Sequence, residues 1–140
     1  MPPPLFCKLD NLLLKVVDLD AALEFYSMKL GHPLLWRDAD AAGLAMPETD
    51  AELVLHTKLG PETDIVVRDV SQAFHAFLDA GGRAIHEPFE IAIGKCAVVA
   101  DPFGNVLTLL DQSKGVLSTN AAGRVTGVRP RDTADDAPSG

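Results

Sequence analysis

A repeat in the first two thirds of the chain sets the limits on what it can fold into. Residues 11–31, NLLLKVVDLDAALEFYSMKLG, and residues 62–82, ETDIVVRDVSQAFHAFLDAGG, follow one pattern at a constant offset. The offset is seen in the pairs Asn11 and Glu62, Asp18 and Asp69, and Gly31 and Gly82. In both copies a short apolar run leads to an Asp, then to a helical pattern, then to Gly. Two copies are too few for a solenoid, which needs about three or more repeats to bury a continuous core. The pattern predicts instead two similar modules that close on each other.

Each copy has a local physical logic. Leu12, Leu14 and Val16 alternate with Asn11, Leu13 and Lys15, the period-2 signature of a strand. Asp18 is placed to cap a helix by accepting from first-turn amides that have no helical partner. Leu19, Ala22, Leu23, Tyr26 and Leu30 then recur at helical spacing, and Gly31 tolerates the left-handed geometry that ends a helix. In the second copy Asp69 and Gln72 have capping-box spacing, with Asp in place of Ser or Thr. Val70, Phe74, Phe77 and Leu78 form its stripe, and Gly81-Gly82 stop it.

At 140 residues and 47% hydrophobic, the chain has enough apolar material for one cored domain. That domain is placed at residues 1–115, with module one at about 8–58 and module two at about 60–112. A net charge of −8 argues against nucleic acid or an anionic membrane surface as partner. Cys7 and Cys96 are too few and too far apart in sequence for a disulfide framework. The first ten residues lack the basic and long apolar regions of a signal peptide, and no run approaches the ~20 apolar residues of a membrane span. A cytoplasmic protein is expected.

After the first helix, residues 33–36, 43–46 and 52–57 read as strands separated by Asp- and Pro-containing turns. After the second, residues 83–87, 90–93, 95–100 and 105–111 read likewise, the first two forming either separate strands or one bent strand interrupted at Pro88. Asp101-Pro102-Phe103-Gly104-Asn105 is a strong turn signal. Both modules therefore read β-α-β-β-β. Beyond Ser113 periodicity fades, and residues 117–140 carry three Arg and three Asp. Residues 116–140 are expected to be a tail without enough apolar surface to order itself.

The phrases VVDLDAALEFYSMKLG, VRDVSQAFHAFLDAGG and VVADPFGNVLTLLD resemble the vicinal oxygen chelate superfamily, which includes glyoxalase I, bleomycin-resistance proteins and extradiol dioxygenases. The likeness covers about residues 9–112, and the DPFGN turn with its following apolar strand is the most specific part. It implies an α+β fold of two βαβββ modules whose mixed sheet curls into a cup with helices outside, and commonly a homodimer. Apolar strand positions would cover the helices. The alternate positions would line the cup: Asn11, Leu13 and Lys15; Val54 and His56; Glu62, Asp64 and Val66; Val106, Thr108 and Leu110.

In metal-dependent members, four cup-facing positions supply His and Glu ligands. By resemblance these fall on Asn11, on Val54 or His56, on Glu62 (or Thr63 if the loop shifts by one), and on Thr108. Only Glu62 and His56 are strong donors. An amide and a hydroxyl bring neutral oxygens that hold a transition metal poorly, whereas a catalytic site generally keeps three protein ligands. No cofactor is expected; if a divalent metal binds, His56 and Glu62 are its ligands, with His86 as a third.

Several other residues are candidates for the cup. Lys15 is placed to pair with Asp64 or Glu62, or to meet an anionic ligand. The Glu62 and Asp64 pair could also separate in pKa for acid-base work. Trp36, Met46, Phe89 and Phe103 are apolar binders or core, with Trp36 suited to stacking on a planar ligand. His86 falls near the cup rim, whereas His32 and His75 read as loop and surface residues. The candidate ligand-binding set is thus Asn11, Lys15, Trp36, Val54, His56, Glu62, Asp64, His86, Phe103 and Thr108. The expected function is binding of a small, partly apolar organic molecule beside a degenerate metal site. The alternatives are a glyoxalase-type lyase or dioxygenase using shifted metal ligands, and a metal-independent enzyme.

Overall fold

The computed structural model describes residues 2–131. It contains ten strands: β1 (Lys8–Lys15), β2 (Leu34–Arg37), β3 (Ala41–Met46), β4 (Thr49–His56), β5 (Glu62–Val66), β6 (Arg83–Ile91), β7 (Gly94–Ala100), β8 (Val106–Leu110), β9 (Val116–Thr119) and β10 (Val125–Arg129). Two helices, α1 (Leu19–Leu23) and α2 (Val70–Asp79), follow β1 and β5. The chain divides into two compact units, one of residues 10–62 and 117–127, the other of residues 2–9, 63–116 and 128–131.

Each unit holds one βαβββ module, and the strand order is the same in both: β2-β3-β4-β1 in module one and β6-β7-β8-β5 in module two. The first and last strands of each module are parallel and the remaining pairs antiparallel. The link closing each module is also repeated, Val16 N–H donating to the His56 carbonyl and Val67 N–H to the Leu110 carbonyl. The α+β class is the one the resemblance implied, and the duplicated order is the one read from the repeat and the strand pattern.

The caps form as the sequence requires. Asp18 accepts from the Ala21 amide at 3.1 Å and Asp69 from the Gln72 amide at 3.0 Å, which satisfies donors that lack helical partners. In module two the α2 stripe of Val70, Ala73 and Phe74 packs on Ala97, Val99 and Leu109. In module one Leu19 and Ala22 pack on Ala42, Leu44, Leu53 and Leu55. Strand parity follows from this packing: Leu53 and Leu55 face α1, so Glu52, Val54 and His56 occupy the opposite, helix-free face.

Three points differ from the sequence reading or decide what it left open. The first helix continues from Glu24 to Lys29 as a π-helical turn, whose wider winding moves the stripe out of phase. Leu30 is consequently 53% exposed rather than packed. Residues 83–91 form the single strand β6, with register shifts between Ala84 and His86 and between His86 and Phe89, so the bend is absorbed by bulges around Pro88.

The third change concerns the expected tail, whose residues 116–129 form the hairpin β9-β10. Its turn is built by Asn120, whose Oδ1 accepts from the amides of Ala122 and Arg124, and by Gly123 at φ +80. The hairpin is anchored within its unit, because Arg37 N–H on the edge strand β2 donates to the Gly123 carbonyl at 2.7 Å. Edge pairing, rather than apolar burial, orders it. The rest of that expectation, residues 132–140, lies outside the described residues.

Candidate functional site

In module one the strand register sets Asn11 beside Glu52, Leu13 beside Val54 and Lys15 beside His56. Val54 pairs onward with Gly43, and Gly43 with Trp36. One row thus runs Leu13, Val54, Gly43, Trp36 across four strands of the helix-free face. Module two repeats it: Asp64 pairs with Thr108, Thr108 with Val98, and Val98 with His86. His86 is therefore the positional equivalent of Trp36, and Asp64 that of Leu13.

The most distinctive chemistry lies in module one, on a residue the sequence reading did not single out. The Trp36 Nε1–H donates to Glu52 Oε1 at 2.6 Å. Both groups occupy the space over Gly43, where a methyl would overlap the indole Nε1 and Glu52 Oε1 alike. A glycine is needed at position 43 to let the indole and the carboxyl meet on the sheet. Burial pushes the Glu52 carboxyl up to about 7; the Trp36 hydrogen bond opposes this, and the charges of Asp10 and Asp50 add to it. Of the causes, desolvation dominates. Glu52 shares the parity of Val54 and His56, and that spacing was the available signal. The resemblance directed attention two residues further along.

The expected residues divide into those brought together and those held apart. Asn11 is buried, and its Nδ2 donates to Asp10 Oδ2 at 2.7 Å. Val54 is buried beside it on the same face as Glu52. His56 sits at the strand end, where its Nδ1 accepts from the amides of Lys58 and Leu59, both at 3.0 Å. That nitrogen is the acceptor, so the neutral ring carries its proton on Nε2 and offers no free lone pair. Lys15 is exposed and makes no salt bridge among the described residues. In module two Asp64 and Thr108 are adjacent and buried, and Glu62 is half-buried at the start of β5.

His86 lies on the exposed edge strand, donating from Nδ1 to the Glu87 carbonyl at 2.8 Å and meeting Phe89 edge-on at 4.6 Å. The strand row puts three inter-strand spacings, about 14 Å, between its backbone and that of Asp64. Phe103 is 87% exposed at the tip of the turn that Asp101 organises, with Oδ1 accepting from the Phe103 and Asn105 amides. Among the described residues no three His, Cys, Asp or Glu side chains converge in an arrangement able to hold a metal ion.

A carboxylate missed by the sequence reading also governs module two. Asp111, buried at the end of β8, accepts from the amides of Val70 (2.9 Å), Lys95 (3.0 Å) and Ser113 (3.2 Å) and from the Ser113 hydroxyl (2.8 Å). Burial alone would raise its pKa, but these donors outweigh it and hold the carboxyl below its ordinary value. It ties the start of α2 to β7 and to the end of β8.

The chain belongs to the glyoxalase-like domain family, whose model matches residues 11–110, and through it to the vicinal oxygen chelate superfamily. Among solved structures, methylmalonyl-CoA epimerase from Mycobacterium tuberculosis is similar at 22% identity, with a TM-score of 0.67 over 81% of this chain and 93% of that one. A variant of the Streptomyces coelicolor methylmalonyl-CoA epimerase, in complex with 2-nitronate-propionyl-CoA, is 20% identical with a TM-score of 0.64, covering 77% and 99%. A hypothetical protein from Bacillus halodurans C-125 is 18% identical with a TM-score of 0.66, covering 79% and 98%. Likeness at this level shows the fold. Among proteins of curated function none matches the sequence significantly. No helix among the described residues is long and apolar enough to cross a membrane.

Proposed function

We propose that this glyoxalase-like protein binds a small, partly apolar organic molecule on the helix-free sheet face of module one, without a tightly held metal at the family position. The observation that carries the reading is the Trp36 and Glu52 pair over Gly43. An aromatic wall with one oriented polar group is the composition of small-molecule sites. The donor set supports the second half of the reading. At the positions where the resemblance places the ligands of metal-dependent relatives stand an amide (Asn11), a hydrocarbon or an imidazole (Val54 or His56), a carboxylate or a hydroxyl (Glu62 or Thr63) and a hydroxyl (Thr108). His56 has its Nδ1 committed to a turn. A transition-metal site needs more and stronger donors. A homodimer acting in the cytoplasm on a small molecule, and not on nucleic acid or membrane, fits the superfamily and the charge of −8.

A second reading, a metal-independent enzyme of this fold, is favoured by one observation, the Glu52 carboxyl raised to about 7. Groups that exchange protons near neutral pH suit acid-base catalysis.

The test is a screen of planar organic compounds followed by fluorescence of Trp36, the sole tryptophan, with metal analysis of the same preparation. Saturable quenching without turnover is expected, lost in Trp36→Phe by another readout such as calorimetry. Near-stoichiometric Ni, Zn, Fe or Mn, removed by His56→Ala, would overturn the reading.

A further inference from the structure

Glu52 is the one group on this face whose two oxygens have different fates. Oε1 accepts the Trp36 indole N–H. Oε2 has no hydrogen bond among the described residues. The carboxyl is held in place by the indole on one side and by the bare backbone of Gly43 beneath. The charged groups acting on it are Asp10 on β1 and Asp50 on β4, both negative; the Trp36 indole on β2 and Gly43 on β3 adjoin it, and Asn11 on β1 is its strand partner.

This arrangement decides where a proton goes. An indole N–H can only donate, so Oε1 must remain an acceptor. A neutral Glu52 therefore carries its proton on Oε2, the oxygen that Trp36 does not engage, and offers a hydrogen-bond donor there. A donor is answered by an acceptor: a carbonyl oxygen pairs with it, while an ammonium or another N–H donor finds no lone pair to share. A ligand carboxylate would meet the repulsion of Asp10 and Asp50, so the acceptor that fits is uncharged.

Resting on the ligand-binding reading above, we propose that Glu52 recognises the ligand as a neutral acid, donating from Oε2 to the oxygen of an uncharged carbonyl compound whose planar body lies against Trp36. The ligand class is a small ketone, aldehyde, ester or amide attached to an apolar planar group. Ionisation of Glu52 removes the donor and places a third negative charge beside Asp10 and Asp50, so it ends recognition. Since Glu52 exchanges its proton at about 7, the switch falls close to neutrality.

The test follows the single indole N–H resonance of the full-length ¹⁵N-labelled protein. The probes are acetophenone, planar with an acceptor only, and benzylamine, of similar size but cationic and a donor. Acetophenone should move the Trp36 resonance in mildly acidic buffer and should bind more tightly than benzylamine. Above the midpoint its affinity should fall about tenfold per pH unit, because only the protonated fraction is competent. In Glu52→Gln the amide keeps both the acceptor for Trp36 and a permanent donor, so acetophenone binding should persist and lose its pH dependence. Without ligand, the Trp36 resonance should titrate near neutrality in the wild type and stay flat in the variant.

Acetophenone affinity that does not change with pH, or benzylamine binding the tighter of the two, would overturn the proposal while leaving the general site standing. Silence of Trp36 towards every compound of the screen would overturn both.

Discussion

Module one and module two fold the same strand order around the same type of helix, and each keeps a carboxylate away from bulk water, yet the two carboxylates behave in opposite ways. Asp111 in module two is ringed by three amides and a hydroxyl and is held below its ordinary pKa. Glu52 in module one has one indole donor, two negative neighbours and one oxygen without a hydrogen bond among the described residues, and is raised to about 7. Desolvation is the leading influence on both, but at Glu52 it is deeper and reinforced by two negative neighbours, whereas at Asp111 four fixed donors outweigh it. A saturated carboxylate is a structural fastener; an undersupplied one keeps chemistry to offer a ligand.

The largest effect that would test this contrast is at Asp111. Asp111→Ala leaves the Val70, Lys95 and Ser113 amides without their acceptor, and unmet backbone donors should lower stability by about 3 kcal/mol in urea unfolding. Asp111→Asn, which keeps one carbonyl oxygen, should lose about half as much. The pH sign is fixed by the lowered pKa: the stabilisation is present above the ordinary carboxylate range and is lost as pH falls through the folded value. The gap between wild type and Asp111→Ala should therefore close in acid. A cost of under ~1 kcal/mol would mean the donors are not what distinguishes the modules.

A smaller effect is expected at Gly43. In Gly43→Ala the new methyl forces the indole off Glu52, and overpacking of this kind costs about 2 kcal/mol. The Trp36 N–H resonance should move towards that of a solvent-exposed indole. An unchanged resonance would show that Gly43 does not hold the pair together.

The last effect carries the opposite sign. The folded-state pKa of Glu52 lies at about 7 against an ordinary 4.5, so between these values the folded protein binds the extra proton and stability declines as pH rises. Glu52→Gln removes that decline. It should stabilise the protein by up to about 3 kcal/mol above pH ~7 and by nothing below pH ~4.5, read as the difference in unfolding midpoints. Equal midpoints at both extremes would place Glu52 alongside an ordinary surface carboxylate.

Much of the architecture was readable in particular residues. Asp18 and Asp69 announced the two helix starts because a capping carboxylate acts on amides three residues away, within the same stretch of chain. The alternation of Leu53 and Leu55 with Val54 and His56 gave the two sheet faces, since a strand's side chains must alternate. The site was less legible. Asn11, Trp36 and Val54 were proposed through alternation, aromatic character and family likeness, and they share the helix-free face with Glu52. Glu52 was passed over because nothing local distinguishes it from an exposed glutamate. Its meaning depends on Trp36 and Gly43, sixteen and nine positions earlier in the chain. The hairpin of residues 116–129 escaped for a related reason: Asn120 and Gly123 form a recognisable turn, but its anchor is the distant edge at Arg37.

What the chain determined by itself was its duplicated βαβββ order, its two helix caps and the parity of its strands, because each depends on contacts within a few residues or on a fixed period. Tertiary structure alone decided which carboxylate would be starved of donors and which saturated. Pairing across β1, β4, β3 and β2 brings Glu52 to Trp36 over a glycine, and the meeting of α2, β7 and β8 surrounds Asp111 with amides. A carboxyl's proton affinity is set by the dipoles and charges within a few ångströms of it, and those neighbours come from strands far apart in sequence.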